Sequence, residues 1–116
     1  MGVPKEKIMY VGDSQTDVQV VEWLKGEGLT IMFNGKGRVC YLSDIMYIGE
    51  DAGTIEWLAD YFATAGRQAI LDWYRTPRGF LGHLIATVTP ENAKDLEEES
   101  VKKRKKFRGV AIGELT

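Results

Sequence analysis

The sequence has few of the residues on which disulfide, zinc and membrane proteins depend. Cys40 is the single cysteine and His83 the single histidine among 116 residues. One cysteine excludes an intrachain disulfide and a zinc site built from several thiolates. No run of about 18 apolar residues occurs, and the first ten residues lack the apolar segment of a signal peptide. We therefore expect a soluble, cytoplasmic protein with no membrane partner.

The chain also lacks a large excess of charge of one sign. Its formal net charge is −2, which gives no overall attraction to nucleic acid or to anionic lipid. The apolar content of 44% and the charged content of 28% are those of an ordinary globular domain. A basic run, "KKRKKFR" at residues 102–108, directly follows the acidic "DLEEES". Pairing between these charges on one helix is the preferred interpretation over a nucleic-acid-binding tail.

Strand and helix patterns alternate along the first two thirds of the chain. Short runs of β-forming apolar residues occur at "KIMYVG", "LTIMF" and "IMYI". A helical pattern that ends near Gly26 follows the first run, and another runs from Gly53 to about Tyr74 after the third. The intervening "GKGRVCYLSD" fits either a short helix or an extended crossover. This order predicts an α/β fold with a small parallel sheet of about three strands.

Residues 76–116 differ in character, so we divide the chain into a core segment, residues 1–75, and a C-terminal extension. The apolar run "TPRGFLGHLIATV" fits no single type of element. The sequence "TPE" at residues 89–91 provides an N-cap, a proline at the first helical position and an acid in the first turn. A charged helix from about residue 91 to 107 is therefore predicted, followed by a loose tail or short strand. We expect the extension to be mainly helical.

Two acids lie where the first predicted strand ends and the following helix begins. Gly12 closes the strand, and Asp13 and Asp17 lie four residues apart after it. Open α/β sheets bind ligands at such strand ends, and a carboxylate pair suits Mg²⁺, which takes oxygen ligands. The spacing from Ser14 to Asp17 also fits a capping box, in which both side chains stabilise the helix start. The two interpretations are compatible, and the pattern alone does not decide between them.

The stretch "IMYVGDSQTDVQVVEW" resembles the fourth sequence motif of the haloacid dehalogenase superfamily of phosphohydrolases. In that motif a hydrophobic strand ends in Gly-Asp, and a second acid follows after three residues. The similarity continues through "GLTIMFNGKGRVCYLSD" and the next strand and helix, so that it covers roughly residues 3–75. The sequence is most similar to archaeal members whose substrates are poorly defined. The resemblance implies part of a Rossmann-like, three-layer α/β sandwich.

The same resemblance implies a partial active site. Asp13 would bind Mg²⁺ directly, and Asp17 would support the metal or its water ligands. Gly12, Ser14 and Asn34 would lie next to a small phosphorylated substrate. The superfamily's nucleophile and its acid–base partner belong to an Asp-x-Asp motif, and no Asp-x-Asp occurs in this chain. We therefore predict a segment of a magnesium-dependent phosphatase that is inactive alone. We assign no catalytic residue to it.

An alternative is a non-catalytic binding or assembly module derived from such a domain. A three-stranded sheet leaves two open edges, and these favour self-association or pairing with a missing N-terminal core segment. Trp23, Trp57 and Trp73 all fall on predicted helices, where core or interface packing is expected. His83 and Cys40 are each expected to be packed structural residues. A homo-oligomer is the partner that this alternative predicts.

Overall fold

The computed structural model describes residues 2–80 and 82–115, which form a five-stranded mixed sheet and helices. The elements in chain order are β1 (Met9–Gly12), α1 (Val18–Leu24), β2 (Leu29–Phe33), α2 (Arg38–Leu42), β3 (Ile45–Ile48), α3 (Ile55–Ala65), α4 (Arg67–Trp73), β4 (Arg78–Phe80), β5 (His83–Thr87) and α5 (Ala93–Leu115). Short 3-10 turns at Lys5–Lys7 and Gln15–Asp17 precede β1 and α1. The strand order across the sheet is β1-β2-β3-β5-β4.

The first three strands form the parallel part of the sheet, as predicted. Met9 of β1 lies opposite Leu29 of β2, and Ile31 of β2 lies opposite Ile45 of β3. Because parallel strands all point the same way, the loops after β1, β2 and β3 meet at one edge of the sheet. This edge, which we call the carboxyl edge, carries the acids of the sequence motif.

Helices cover both faces of the sheet, and alternate residues of the strands point to opposite helix layers. On one face the strands pack against α3 and α4, and on the other against α1, α2 and α5. The buried residues of the first layer include Ile31, Ile45, Tyr47, Leu58, Phe62 and Ile70, and those of the second include Val21, Met32, Val39, Met46 and Leu96. The fold therefore consists of three layers.

A hairpin in the C-terminal part enlarges the sheet beyond the prediction. β5 pairs antiparallel with β3, where Tyr47 lies opposite Ile85, and β4 pairs antiparallel with β5. The expectation of about three strands is therefore wrong, and the extension, although mainly helical through α5, also contributes two strands. The reason is that Ile85 packs into one helix layer while Leu84 and Ala86 pack into the other. A strand buried on both faces is a continuous apolar run without the alternation that marks a half-buried strand.

The helical predictions hold with changed ends. The pattern after Gly53 forms two helices, because Gly66 between them has φ 86°, a left-handed conformation that ends α3. The ambiguous segment after β2 contains the short helix α2. The charged helix is confirmed, and α5 continues to Leu115 through residues for which a tail or strand was predicted. None of the helices in the described ranges is both long enough and apolar enough to cross a membrane.

The cysteine, the histidine and the tryptophans of the sequence analysis differ in their burial. Cys40 is buried as predicted, and burial raises the pKa of its thiol to about 12. Trp23, Trp57 and Trp73, for which core or interface packing was predicted, are about half exposed, so none of them belongs to the core. The expectation that His83 is packed is met, because only 12% of its side chain is exposed.

Candidate functional site

The acidic motif lies in the loop that joins β1 to α1 at the carboxyl edge. Gly12 is the last residue of β1, and the 3-10 turn Gln15–Asp17 leads directly into α1. A shallow pocket of about 310 Å³ opens there, lined by Val11, Gly12, Asp13, Thr16, Asp17 and Phe33. The sequence motif thus occupies the position that open α/β sheets use for ligands.

The carboxylate of Asp17 is engaged in holding this loop. Its Oδ2 accepts hydrogen bonds from the backbone N–H groups of Asp13 at 2.8 Å and Ser14 at 3.0 Å. Its Oδ1 accepts a short hydrogen bond from the hydroxyl of Tyr10 on β1. The bond from Ser14 N–H belongs to the predicted capping box, which is present with both of its halves, and the Ser14 hydroxyl also lies 2.9 Å from that of Thr16. Asp17 therefore ties the start of α1 back to β1.

These contacts shift the protonation equilibria of both partners. Partial burial pushes the pKa of Asp17 upward, but the hydrogen bonds from Tyr10, Ser14 and Asp13 outweigh it and leave the pKa below its ordinary value. The hydrogen bond to Asp17, with burial and the nearby negative charges, raises the pKa of Tyr10. The pair is thus held as a carboxylate and a neutral phenol.

Gly12 makes room for the Asp17 side chain. A Cβ built at Gly12 would lie 2.4 Å from Cγ of Asp17 and 2.5 Å from its Oδ2, distances that no real side chain tolerates. Any larger residue at this position would push the carboxylate away from the loop it organises. The glycine of the motif thus serves the Asp17 contacts directly, in addition to any approach of a ligand.

Asp13 has a different environment, because its carboxylate is exposed and faces a cation from α5. Its side chain is 57% exposed, and its Oδ2 lies 3.6 Å from Nη1 of Arg104. The same Nη1 donates hydrogen bonds to the backbone carbonyls of Asp13 at 2.9 Å and Asn34 at 3.1 Å. Arg104 is itself 10% exposed, and its Nε is buried without a hydrogen-bond partner among the described residues. Arg104 thus links the ends of β1 and β2 to α5.

The side chain of Asn34 points along the carboxyl edge to the next strand. Its Nδ2 donates to the carbonyl of Gly49 at 2.8 Å, and its Oδ1 accepts from Gly49 N–H at 3.0 Å. Asn34 also has φ 47°, a left-handed conformation that asparagine tolerates better than most residues. Its amide is therefore committed to joining the loops after β2 and β3, which is a structural role beside the predicted substrate-adjacent one.

The structure brings Gly12, Asp13, Ser14 and Asp17 together in one loop, and Arg104 connects this loop to Asn34. Of the two predicted metal ligands, only Asp13 has a carboxylate that is not already bonded to backbone N–H groups. Among the residues that the structure describes, no group of three or more His, Cys, Asp or Glu side chains is placed to hold a metal ion. Arg104 was missed by sequence reasoning, because nothing in "KKRKKFR" distinguishes Arg104 from the neighbouring bases.

Comparison with known proteins gives a structural relative but no family. No protein-family model matches the sequence, and no curated protein matches it. The fold is similar to that of gene product AF1437 from Archaeoglobus fulgidus, with a TM-score of 0.74 and 22% sequence identity. The match covers 87% of this chain and 32% of the other, so this chain spans about a third of that protein's length. At this identity the similarity establishes the fold alone.

Proposed function

We propose that this chain supplies the magnesium-binding acidic corner of a haloacid-dehalogenase-like phosphohydrolase. The main observation in its support is that the carboxylates of Asp13 and Asp17 have different environments and different roles. Asp17 uses both oxygens to fix the loop, and this leaves the Asp13 carboxylate exposed at the carboxyl end of a parallel strand. One or two carboxylates that act together with substrate phosphate are a common protein contribution to a Mg²⁺ site. Asp13 would hold the ion, and Asp17 would position Asp13.

The position of β1 supports a nucleophile that comes from another segment. β1 is an outer strand of the sheet and pairs only with β2 among the described residues. A further parallel strand on its open edge would place that strand's own carboxyl end beside Asp13. An Asp-x-Asp motif there would complete the acidic site that the resemblance implies. The substrate would then be a small phosphorylated compound.

Arg104 bears on how strongly this chain alone would bind a metal. Its guanidinium lies 3.6 Å from the Asp13 carboxylate, so a cation that approaches this carboxylate meets a like charge. With one available carboxylate and a neighbouring guanidinium, we expect magnesium affinity in the millimolar range, about 1 mM or weaker. The isolated chain should also turn over no p-nitrophenyl phosphate, because the nucleophile is absent.

Manganese titration followed by NMR tests the metal assignment without requiring activity. Mn²⁺ should broaden the amide signals of Asp13 and Ser14 first, and excess Mg²⁺ should reverse the effect. Asp13→Asn should abolish the selective broadening, whereas Asp60→Asn, at an exposed position on α3, should leave it unchanged. Broadening that is unaffected by Asp13→Asn would contradict the proposal. Phosphatase activity that persists in Asp13→Asn would contradict it as well.

An assembly module is a second candidate, favoured by the open outer edge of β1 and by the three half-exposed tryptophans. Open strand edges pair readily with a second chain. In this case the chain should sediment as a dimer or larger oligomer at micromolar concentration. A stable, folded monomer under those conditions would exclude this candidate and leave the phosphohydrolase proposal standing.

A further inference from the structure

A second pocket lies on the other side of the carboxyl edge, between the start of α3 and the β4–β5 hairpin. Its volume is about 420 Å³, within the range of about 300–1,000 Å³ that is typical of small-molecule sites. The walls combine aromatic and aliphatic surface with a few polar groups, namely Gly53, Thr54, Trp57, Tyr74, Arg78, His83 and Ile85. Arg78 is the permanently charged side chain among the described residues that line the pocket, and none of these residues is an acid, although the Asp51 carboxylate lies 3.7 Å from His83 Nε2.

A chain of hydrogen bonds fixes His83 in this wall. The backbone N–H of Thr54 donates to the Tyr47 hydroxyl oxygen at 3.2 Å, and that hydroxyl lies 3.0 Å from His83 Nδ1. The Thr54 hydroxyl is a second neighbour of Nδ1, at 3.4 Å. Asp51 Oδ1 lies 3.7 Å from His83 Nε2, and this carboxylate favours the tautomer with a proton on Nε2, in which the Tyr47 hydroxyl donates to Nδ1.

Close packing adds to this constraint. Tyr47 is fully buried, and its ring centroid lies 5.4 Å from that of His83. A Cβ built at Gly49 would lie 2.9 Å from both His83 Cδ2 and Tyr47 Cε1. The His83 and Tyr47 rings thus fill the space beside Gly49, so no side chain would fit at this position. The orientation of the His83 ring in the pocket wall is therefore fixed.

Arg78 is also held in place. Its guanidinium carbon lies 3.8 Å from the ring centroid of Trp73, and its Nε donates to the Trp73 carbonyl at 3.0 Å. Stacking on an aromatic face and a hydrogen bond at Nε leave the terminal guanidinium nitrogens directed to other partners. None of the ion pairs among the described residues includes Arg78. It is a positioned cation beside an aromatic wall.

We propose that this pocket is a binding site for a small planar aromatic anion. The aromatic body would lie against the half-exposed ring of Trp57, because flat aromatic surfaces stack favourably. The carboxylate or phosphate would pair with Arg78, since a guanidinium binds both groups in bidentate geometry, while His83 forms part of the pocket wall. The proposal is independent of the phosphohydrolase assignment, because it uses none of the residues of the β1 loop.

Binding of 2-naphthoate, monitored by NMR of the tryptophan indole and histidine imidazole groups, tests this site. The anion should shift the Trp57 and His83 signals with a dissociation constant of about 1 mM or tighter. Trp57→Ala should weaken binding by about tenfold, whereas Trp23→Ala, a tryptophan of similar exposure on α1, should not change it. Equal effects of the two substitutions, or no shift of Trp57 and His83, would overturn the proposal.

A second pair of variants separates recognition of the charge from general apolar binding. Arg78→Gln should weaken 2-naphthoate by about tenfold and leave the uncharged 2-naphthylmethanol unaffected. Arg75→Gln is the matched control, because Arg75 is exposed and pairs with Asp72. If Arg78→Gln and Arg75→Gln bind 2-naphthoate equally well, or if the alcohol binds the unmodified chain as tightly as the anion, the assignment to an anion is wrong.

Discussion

Two corners of the same sheet edge use polar side chains in opposite ways. At the β1 corner, formed by the loop of residues 12–17 with Arg104, the charged groups bond mainly to the backbone. At the β3 corner, formed by the loop of residues 49–54 with Tyr47 and His83, side chains bond to one another beside a pocket. The first corner is organised around one exposed carboxylate, and the second around a buried phenol and imidazole.

The contrast shows why a sequence motif is easier to find than to interpret. All four residues of the β1 motif lie within six positions of each other, so their spacing alone suggested a site. Tyr47 and His83 are 36 positions apart and meet only because β5 pairs with β3. One residue of this contiguous motif, Asp17, already uses its carboxylate in hydrogen bonds that hold the loop.

The largest expected effect is on the loop that Asp17 holds. Asp17→Ala removes an acceptor shared by two backbone N–H groups and the Tyr10 hydroxyl, so the free energy of unfolding should fall by about 2–3 kcal/mol. Asp13→Ala, four residues earlier, should change it by no more than about 0.5 kcal/mol, because that carboxylate is exposed. Urea unfolding followed by tryptophan fluorescence measures both. Equal losses of unfolding free energy in the two variants would show that Asp13 and Asp17 do not have these different roles.

Arg104 should give the next largest effect. Arg104→Met removes the donor to the Asp13 and Asn34 carbonyls, and we expect a loss of about 2 kcal/mol in the free energy of unfolding. Lys105→Met, at the adjacent exposed position, should stay within about 0.5 kcal/mol.

Metal binding by Arg104→Met provides a second test of how the β1 corner is organised. With the guanidinium removed, Mn²⁺ should broaden the Asp13 amide signal at lower concentration than in the unmodified chain. Weaker broadening in Arg104→Met than in Lys105→Met would mean that Arg104 supports the corner instead of competing with a cation.

Much of the fold could be predicted from local patterns, and the missing part has a physical explanation. β1, β2 and β3 end at glycine or asparagine turns, and α3 has regularly spaced apolar residues, so their signals are local. β5 is apolar on both faces, and β4 spans only Arg78–Phe80, so neither carries a periodic signal. Their pairing depends on a long-range contact with β3, which the sequence of the hairpin does not encode locally.

The candidate site was predictable only as a list of residues. The positions of Asp13 and Asp17 follow from the strand-to-helix pattern, but their different roles depend on which carboxylate meets the Tyr10 hydroxyl and the loop N–H groups. Arg104 lies 91 positions from Asp13, in a run of similar bases. No spacing rule selects it, because its burial is set by how α5 packs on the sheet.

A smaller effect is expected at the β3 corner. Tyr47→Phe leaves the Thr54 N–H and His83 Nδ1 without their shared partner and should lower the free energy of unfolding by about 1 kcal/mol. Tyr41→Phe, an exposed position on α2, should have no measurable effect. The ¹⁵N shifts of the His83 ring should also move toward a mixture of tautomers in Tyr47→Phe. Unchanged ring shifts would mean that the Tyr47 hydroxyl does not set the tautomer.

The smallest effect concerns the pH dependence that Asp17 contributes. Because its folded-state pKa is lowered, Asp17 contributes stability that is present above the pKa of the unfolded chain, about 4, and lost as pH falls through the folded-state value. The stability advantage of the unmodified chain over Asp17→Asn should therefore be larger at pH 7 than at about pH 3. Tyr10→Phe, which removes one of the hydrogen bonds that lower this pKa, should show a weaker dependence over the same range. Urea unfolding at both pH values measures the gap, and a gap that does not change with pH would mean that the Asp17 carboxylate is no better stabilised in the folded loop than in water.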